Sequence, residues 1–320
     1  MEELVQNKLV EKLKIDLKKE SEKIENFISS EVERLGRDGV VIGLSGGLDS
    51  STVAYLCKKV LGKEKILALI LPEKDSNPRN IEDARIVAKE LDLIRKEIDL
   101  TSFFEEIGIY TLSIEKISQD RKLIDDLISE NRKLVDDFIK TSKELPSGFP
   151  NFYGKKNEFE DSIEKLFPGY TNEMAALITA KTRLRMIFLH YYAALNHYLV
   201  IGTSDKSEWN IGYYDGDAIV QIQPLLHLYK TQIRQLASYL GVPKNIIEKT
   251  SSADLFGIGL PNEVLIGLSY ELLDSILYGL DHQYSAKEII TLTGAKEEQI
   301  EAVVQLVAAD KIRKSLPSFL

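Results

Sequence analysis

Apolar positions between residues 4 and 36 recur at helical steps (Val10, Leu13, Ile15, Leu17, Ile24, Phe27, Ile28, Val32, Leu35) among many charges, which predicts a leading helical segment stopped by Gly36. A continuous run of strand formers, Gly39 to Leu44, then enters a glycine-rich turn, and helical spacing resumes from Ser50 to Leu61 with Gly62 beyond it. Strand, tight turn, helix is the predicted order. A second apolar run, Ile66 to Leu71, leads through a loop from Pro72 to Asn80 into a helix face of Ala84, Val87, Ala88 and Leu91, and a third short run follows at Leu93 to Ile98. Strands separated by helices need crossover connections, so the pattern predicts a doubly wound α/β fold: a mainly parallel sheet with helices on both faces. Its ligand site belongs at the carboxyl ends of the strands.

Alternation breaks between about 101 and 170. Residues 111–143 set Ile117, Ile124, Leu127, Ile128, Leu134, Val135 and Phe138 among balanced charges, the pattern of an amphipathic helix, and Pro146 to Gly154 reads as an aromatic, turn-rich loop. Alternation returns with a long helix at about 171–196, a strand at Tyr198–Ile201 and a helix at about Tyr229–Leu240, and from Pro261 onward the chain reads as helices. The expectation is one domain over residues 1–320, with a mostly helical insertion at about 101–170 and a helical C-terminus. In that insertion the loop Phe149 to Tyr153 is expected to cover the substrate end of the cleft.

Composition narrows the function. With 44% apolar and 28% charged residues over 320 positions, the chain carries what a globular core needs. Apolar stretches fall short of the roughly 18 residues that span a bilayer, and the N-terminus lacks a signal-peptide core, so a cytoplasmic protein is expected. A formal charge of −9 repels a nucleic-acid backbone. An anionic ligand must therefore be held locally, by backbone amides, a metal ion and a few placed basic side chains.

Ser45-Gly46-Gly47-Leu48-Asp49-Ser50 sits where a strand ends and a helix begins. Adjacent glycines let the backbone curl so that its amides converge on an anion, and the helix N-terminus adds partial positive charge. Ser45, Ser50 and Ser51 offer hydroxyls to phosphate oxygens, while Asp49 suits the site only beside a bound magnesium ion. The same letters also read as a Gly-Gly turn with an Asp helix cap. No Lys precedes the Ser, so this is not a Walker A loop, and release of pyrophosphate rather than transfer of the terminal phosphate is the natural inference.

The loop resembles the PP-loop of ATP pyrophosphatases, and four later segments resemble ammonia-dependent NAD synthases. They are Lys181-Thr182-Arg183-Leu184-Arg185-Met186, Ile201-Gly202-Thr203-Ser204-Asp205-Lys206-Ser207-Glu208, the stretch Pro224 to Gly241 with Leu228-Tyr229-Lys230-Thr231 inside it, and Ser251-Ser252-Ala253-Asp254-Leu255. Residues 23–100 and 171–310 carry the resemblance. It implies ATP as substrate with Mg²⁺, bound at Gly43, Ser45, Gly46, Gly47, Asp49, Ser50, Ser51, Thr203, Lys230 and Ser252, with Asp49 and Lys230 as the catalytic pair. It further implies Asp49 and Glu208 as metal ligands and Arg183 and Arg313 near the second substrate. Singly, Lys230 also reads as a solvated surface charge, Glu208 as a first-turn helix acid, and Arg183 as a surface partner of Glu173 or its neighbours. The implied reaction adenylates a small-molecule carboxylate, that of deamido-NAD, and aminates it with ammonia, in a homodimer. Ammonia would come from solution or a separate donor protein, because a built-in glutaminase of the usual kinds needs a nucleophilic cysteine and Cys57, at helical spacing from Val53 and Ala54, reads as a buried small hydrophobe.

The pattern departs from the family around the second substrate. After Tyr213-Tyr214 the chain runs Asp215-Gly216-Asp217-Ala218-Ile219-Val220-Gln221, shorter than expected and without a Lys, and the C-terminal basic segment reads Lys311-Ile312-Arg313-Lys314. Two other readings therefore stay open: a ligase for a different carboxylate, such as a sugar acid or a nucleotide-linked acid, and a non-catalytic ATP-binding protein.

Overall fold

The computed structural model describes residues 7–111, 170–213, 220–252 and 262–314. The predicted helix in 111–143, the loop Phe149 to Tyr153 and most of the segment after Tyr213 lie outside the described residues.

Four strands, β1 (Gly39–Gly43), β2 (Ile66–Ile70), β3 (Ile94–Glu97) and β4 (Tyr198–Ile201), form one sheet in the order β3-β2-β1-β4. Every pairing is parallel: Val41 stands opposite Leu67 on one side and Val200 on the other. Because successive side chains of a strand face opposite ways, this register sorts the core into two layers. Val40, Ile42, Ile66, Ala68, Ile70, Leu199 and Ile201 join the core built by α1 (Leu17–Arg34), α2 (Leu48–Leu61), α3 (Pro78–Glu90) and later helices. Val41, Leu67, Leu69 and Val200 pack instead on Leu189 and Ala193 of α5 (Tyr170–Asn196), the helix of the other face. β3 is an exposed edge.

The leading helical segment proves to be two elements, a 3₁₀ turn at Val10–Leu13 and α1. Asp16 divides them, its carboxylate accepting the Lys19 amide at 3.1 Å as the N-cap of α1. After β3, the short α4 (Thr101–Glu106) begins the segment predicted as an insertion and buries Phe104 against Leu100, Ile109 and Leu177. α6 (Lys206–Asn210), α7 (Lys230–Leu240) and α8 (Lys244–Ile247) follow β4, and Gly241 ends α7 in the left-handed region at φ +84°. The C-terminal helices α9 (Asn262–Ile266), α10 (Tyr270–Asp281), α11 (Ala286–Thr293) and α12 (Glu297–Lys314) bury Tyr270, Leu273, Ile276 and Leu277 with Leu13, Ile211 and Tyr229.

The sheet order has one functional consequence. From β1 the chain builds outward through β2 and β3, and β4 then joins the opposite side of β1. The order reverses between β1 and β4, and sheets of this kind bind ligands in the crevice beyond the strands' carboxyl ends at such a switch point.

Candidate active site

The loop leaving β1 is held by its surroundings. Leu44 donates its amide to Leu69 O at 2.8 Å, and the hydroxyls of Ser45 and Ser50 lie 3.0 Å apart across the turn. Gly46 adopts φ +74°, and a Cβ there would lie 2.1 Å from the Asn80 carbonyl oxygen, so only glycine fits. Lys249 braces the turn from below: its ammonium donates to Gly46 O at 2.9 Å and Asn80 Oδ1 at 2.8 Å and pairs with Asp83. Gly47 is the N-cap of α2, which places Asp49 in the first helical turn.

From the other side of the crevice, β4 runs through Gly202, Thr203 and Ser204 to Asp205, whose carboxylate accepts the Glu208 amide at 2.8 Å and caps α6. α7 begins at Lys230, and its ammonium gathers both sides of the crevice. It lies 2.6 Å from Asp205 Oδ2, 2.8 Å from Asp49 Oδ2 and 2.9 Å from Glu208 Oε1. Lys230 is therefore fully buried, not a solvated charge. Glu208 does occupy the first turn of α6, yet it also reaches the cluster. Lys230 and Asp205 are closed off from solvent, whereas Asp49 and Glu208 keep 21% and 15% of their side-chain surface. Those two carboxylates form the open side.

Burial raises the Asp49 carboxyl, with the Glu208 charge adding to it and Lys230 opposing. Asp205 is pushed well above the usual carboxylate range by burial first and by Glu208 and Asp49 as well. Burial alone would discharge Lys230, but the Asp205, Asp49 and Glu208 charges outweigh it and hold the ammonium well above an ordinary lysine.

One ammonium among three carboxylates leaves surplus negative charge. Oxygens of Asp49, Asp205 and Glu208 lie within 4.8 Å of one another, and Asp49 Oδ1 is buried without a hydrogen-bond partner among the described residues. Hard oxygen donors, excess negative charge and an orphaned oxygen fit a magnesium ion.

Of the other residues singled out from the sequence, Gly43 ends β1, Ser45, Gly46, Gly47 and Ser50 build the turn, and Thr203 and Ser252 are half-buried in the chain segments that follow β4 and α8. Ser51 is fully buried, its hydroxyl without a partner among the described residues. Arg183 is half-buried on α5 and is not among the described contacts of the Lys230 cluster. The backbone of Arg313 lies in α12, and its side chain is outside the described residues. Cys57 is fully buried, and burial pushes its thiol far up.

Sequence reasoning missed several members. Asp205 stands three residues before Glu208, the spacing of a helix N-cap and its third residue, and that signal was available. Tyr270 and Asn262 both donate to Glu208 Oε1, at 2.8 and 3.2 Å, and no local spacing announces residues that arrive from so far along the chain.

A second buried lysine lies at the end of β2. Lys181 of α5 contacts Glu73 Oε1 at 2.9 Å and Asp75 Oδ2 at 2.8 Å, while Glu73 Oε2 accepts the Tyr110 hydroxyl at 2.7 Å and the Asp75 amide at 3.0 Å.

Comparison with known proteins identifies the family. The family model described as NAD synthase matches residues 20–134 and 155–317, so its match takes in parts of the 101–170 segment. The NH(3)-dependent NAD(+) synthetase of Methanocaldococcus jannaschii is 34% identical over 297 residues, covering 92% of this chain and 93% of that protein. Among solved structures, the NH3-dependent NAD synthetase of Campylobacter jejuni, in complex with the nitrate ion, is 27% identical with a TM-score of 0.61 and covers 96% of this chain and all of that one. The NMN synthetase of Francisella tularensis, at 24% identity and a TM-score of 0.66 over 96% of this chain and 99% of that one, shares the fold. With a parallel sheet of this order, a glycine turn at its switch point and this extent of similarity, the chain belongs to the NAD synthase family.

Proposed function

We propose that the chain catalyses the ATP-dependent amidation of deamido-NAD to NAD, with Lys230, Asp49 and Glu208 at the reacting phosphates. The observation that carries this reading is the buried Lys230 ammonium, held against three carboxylates beside the Ser45–Ser50 turn. The substrate carboxylate oxygen attacks the α-phosphorus of ATP, the bond to the β-phosphate oxygen breaks, and pyrophosphate leaves with its electron pair. Ammonia then attacks the acyl carbon, AMP departs, and the nitrogen loses a proton to leave the amide. Amides of the turn and the hydroxyls of Ser45 and Ser50 receive the pyrophosphate, and the helix α2 terminus adds its partial charge. Lys230 offers a fixed positive charge to the oxygens on which negative charge builds. Asp49 and Glu208 would hold Mg²⁺, which supplies charge neutralisation to the polyphosphate. Thr203 and Ser252 are assigned to the nucleotide, and Arg183 and Arg313 to the acceptor.

The buried Cys57 thiol cannot serve as a glutaminase nucleophile, which supports ammonia from solution or a separate donor. A homodimer is supported by α5, which exposes Ile187, Tyr191 and Leu195 at four-residue steps with 59–65% of each open to solvent. Sedimentation at low micromolar concentration should give twice the 36.2 kDa of one chain. No described helix is long and apolar enough to cross a membrane, and the proposed location is the cytoplasm.

The test is acceptor-dependent release of AMP and pyrophosphate over a panel of carboxylates. Deamido-NAD is expected to give the highest kcat/KM. ADP and phosphate as products would defeat the reading, and preference for another acid would assign the shortened 215–221 segment to a different acceptor.

A further inference from the structure

Helix α10 contributes no group to the reacting atoms as proposed above, yet it turns two fully buried polar side chains, Tyr270 and Asp274, toward the site from one face, four residues apart. A buried hydroxyl or carboxylate is costly unless it is hydrogen-bonded. Here the bonds converge on the residues around the phosphate cleft. The Tyr270 hydroxyl donates to Glu208 Oε1 at 2.8 Å, and its ring lies 5.3 Å from the Lys230 ammonium. Asp274 Oδ1 accepts the hydroxyl of Ser207 at 2.5 Å, and Oδ2 accepts the Thr231 amide at 2.8 Å. Ser207 Oγ in turn accepts the Lys230 amide at 2.9 Å. Asp274 thereby ties the first two amides of α7 to the residue immediately before Glu208.

We propose that α10 is a positioning element with two separable roles. Tyr270 orients the Glu208 carboxylate toward the cation, and Asp274, acting through Ser207 and the first-turn amides of α7, sets the place of the Lys230 ammonium. A helix that only covered the site could do so with apolar residues. These two polar groups instead fix a carboxylate and a helix start supplied by earlier parts of the chain, which is how supporting groups hold a reactive constellation in register. The inference rests on the amide-forming reading of the site.

The full chain carrying Y270F, D274N or S207A tests it, with Mn²⁺ binding followed by electron paramagnetic resonance in the presence of an ATP analogue bearing an α,β-methylene bridge. Y270F keeps the ring and is expected to weaken Mn²⁺ about tenfold and to raise the metal requirement of turnover, the lost rate returning at high metal. D274N and S207A are expected to lower kcat about tenfold or more while Mn²⁺ affinity stays within about twofold. If D274N does not fold, S207A carries that arm, since it leaves the Asp274 bond to Thr231 in place. Lower melting temperatures with Mn²⁺ affinity, KM and kcat all within about twofold of the parent would overturn the proposal, as would equal effects of all variants on both readouts. Should the parent chain amidate no carboxylate, the reading of the reaction fails on its own, and the Mn²⁺ affinity of Y270F still decides the role assigned to Tyr270.

Discussion

Two buried lysines sit at the carboxyl edge of the same sheet, and they differ in how their partners are satisfied. Lys181 meets Glu73 and Asp75, and both oxygens of Glu73 are engaged, one by the lysine and the other by the Tyr110 hydroxyl and the Asp75 amide. This group ties the loop after β2 to α5 and to the turn at Ile109–Thr111. Lys230 meets three carboxylates, two of them partly open, and leaves Asp49 Oδ1 without a partner among the described residues. A buried ion pair is therefore no sign of a reaction site in itself. What sets the Lys230 cluster apart is a third carboxylate, two partly open members and an orphaned buried acceptor among the described residues, all beside the glycine turn.

The sharpest contrast is the loss of each lysine. K230M should lower turnover about 100-fold or more, since no other described ammonium lies among the three carboxylates, and steady-state assays at saturating ATP check it. D49N should lower turnover about tenfold and raise the Mg²⁺ concentration for half-maximal rate, because the turn glycines and the helix start remain while one carboxylate charge is gone. Unchanged turnover at limiting Mg²⁺ would remove Asp49 from that role. K181M should act mainly on stability, costing about 3–5 kcal/mol in denaturant unfolding by stranding Glu73 and Asp75, while kcat/KM below the transition stays within about threefold. Equal loss of turnover in folded K181M and K230M would break the comparison.

The Lys230 side also carries a signature in pH. Burial pushes Asp274 up to about 6 against the hydrogen bonds from Ser207 and Thr231. Its folded value lies above that of an unfolded aspartate, so the folded state holds a proton that the unfolded chain has already released. Stability is then lost as pH rises from about 4 to about 6, by up to about 3 kcal/mol, and the cost is complete above that window. D274N does not titrate, so urea unfolding of parent and variant should diverge across this window, and parallel curves would remove Asp274 as the source.

What the sequence made legible follows from the range of each interaction. The Gly39–Leu44 run, the glycine turn and the strand Tyr198–Ile201 are local patterns, and β1, the turn and β4 lie where those patterns put them. The family resemblance grouped Asp49 with Lys230 and with Glu208, and the switch-point topology is the physical reason that residues so distant in the chain meet. The break at Asp16 was hidden because the apolar spacing of Leu13, Ile15 and Leu17 runs on through the cap. Gln221, noted only as a departure from the family, accepts the Val200 amide through Oε1 at 2.8 Å and so serves the edge of β4, a role set by tertiary contact alone.

The brace formed by Lys249 bears on how ligand binding is driven. A glycine pair in a free loop samples many backbone states, and a ligand that selects one of them must overcome the lost conformational entropy, about 1–2 kcal/mol per residue. Here Gly46 is wedged against α3 and its carbonyl is tied down by Lys249 before any nucleotide arrives. That ordering is completed during folding, so more of the nucleotide's contact energy remains for affinity and for the distortion that leads to reaction.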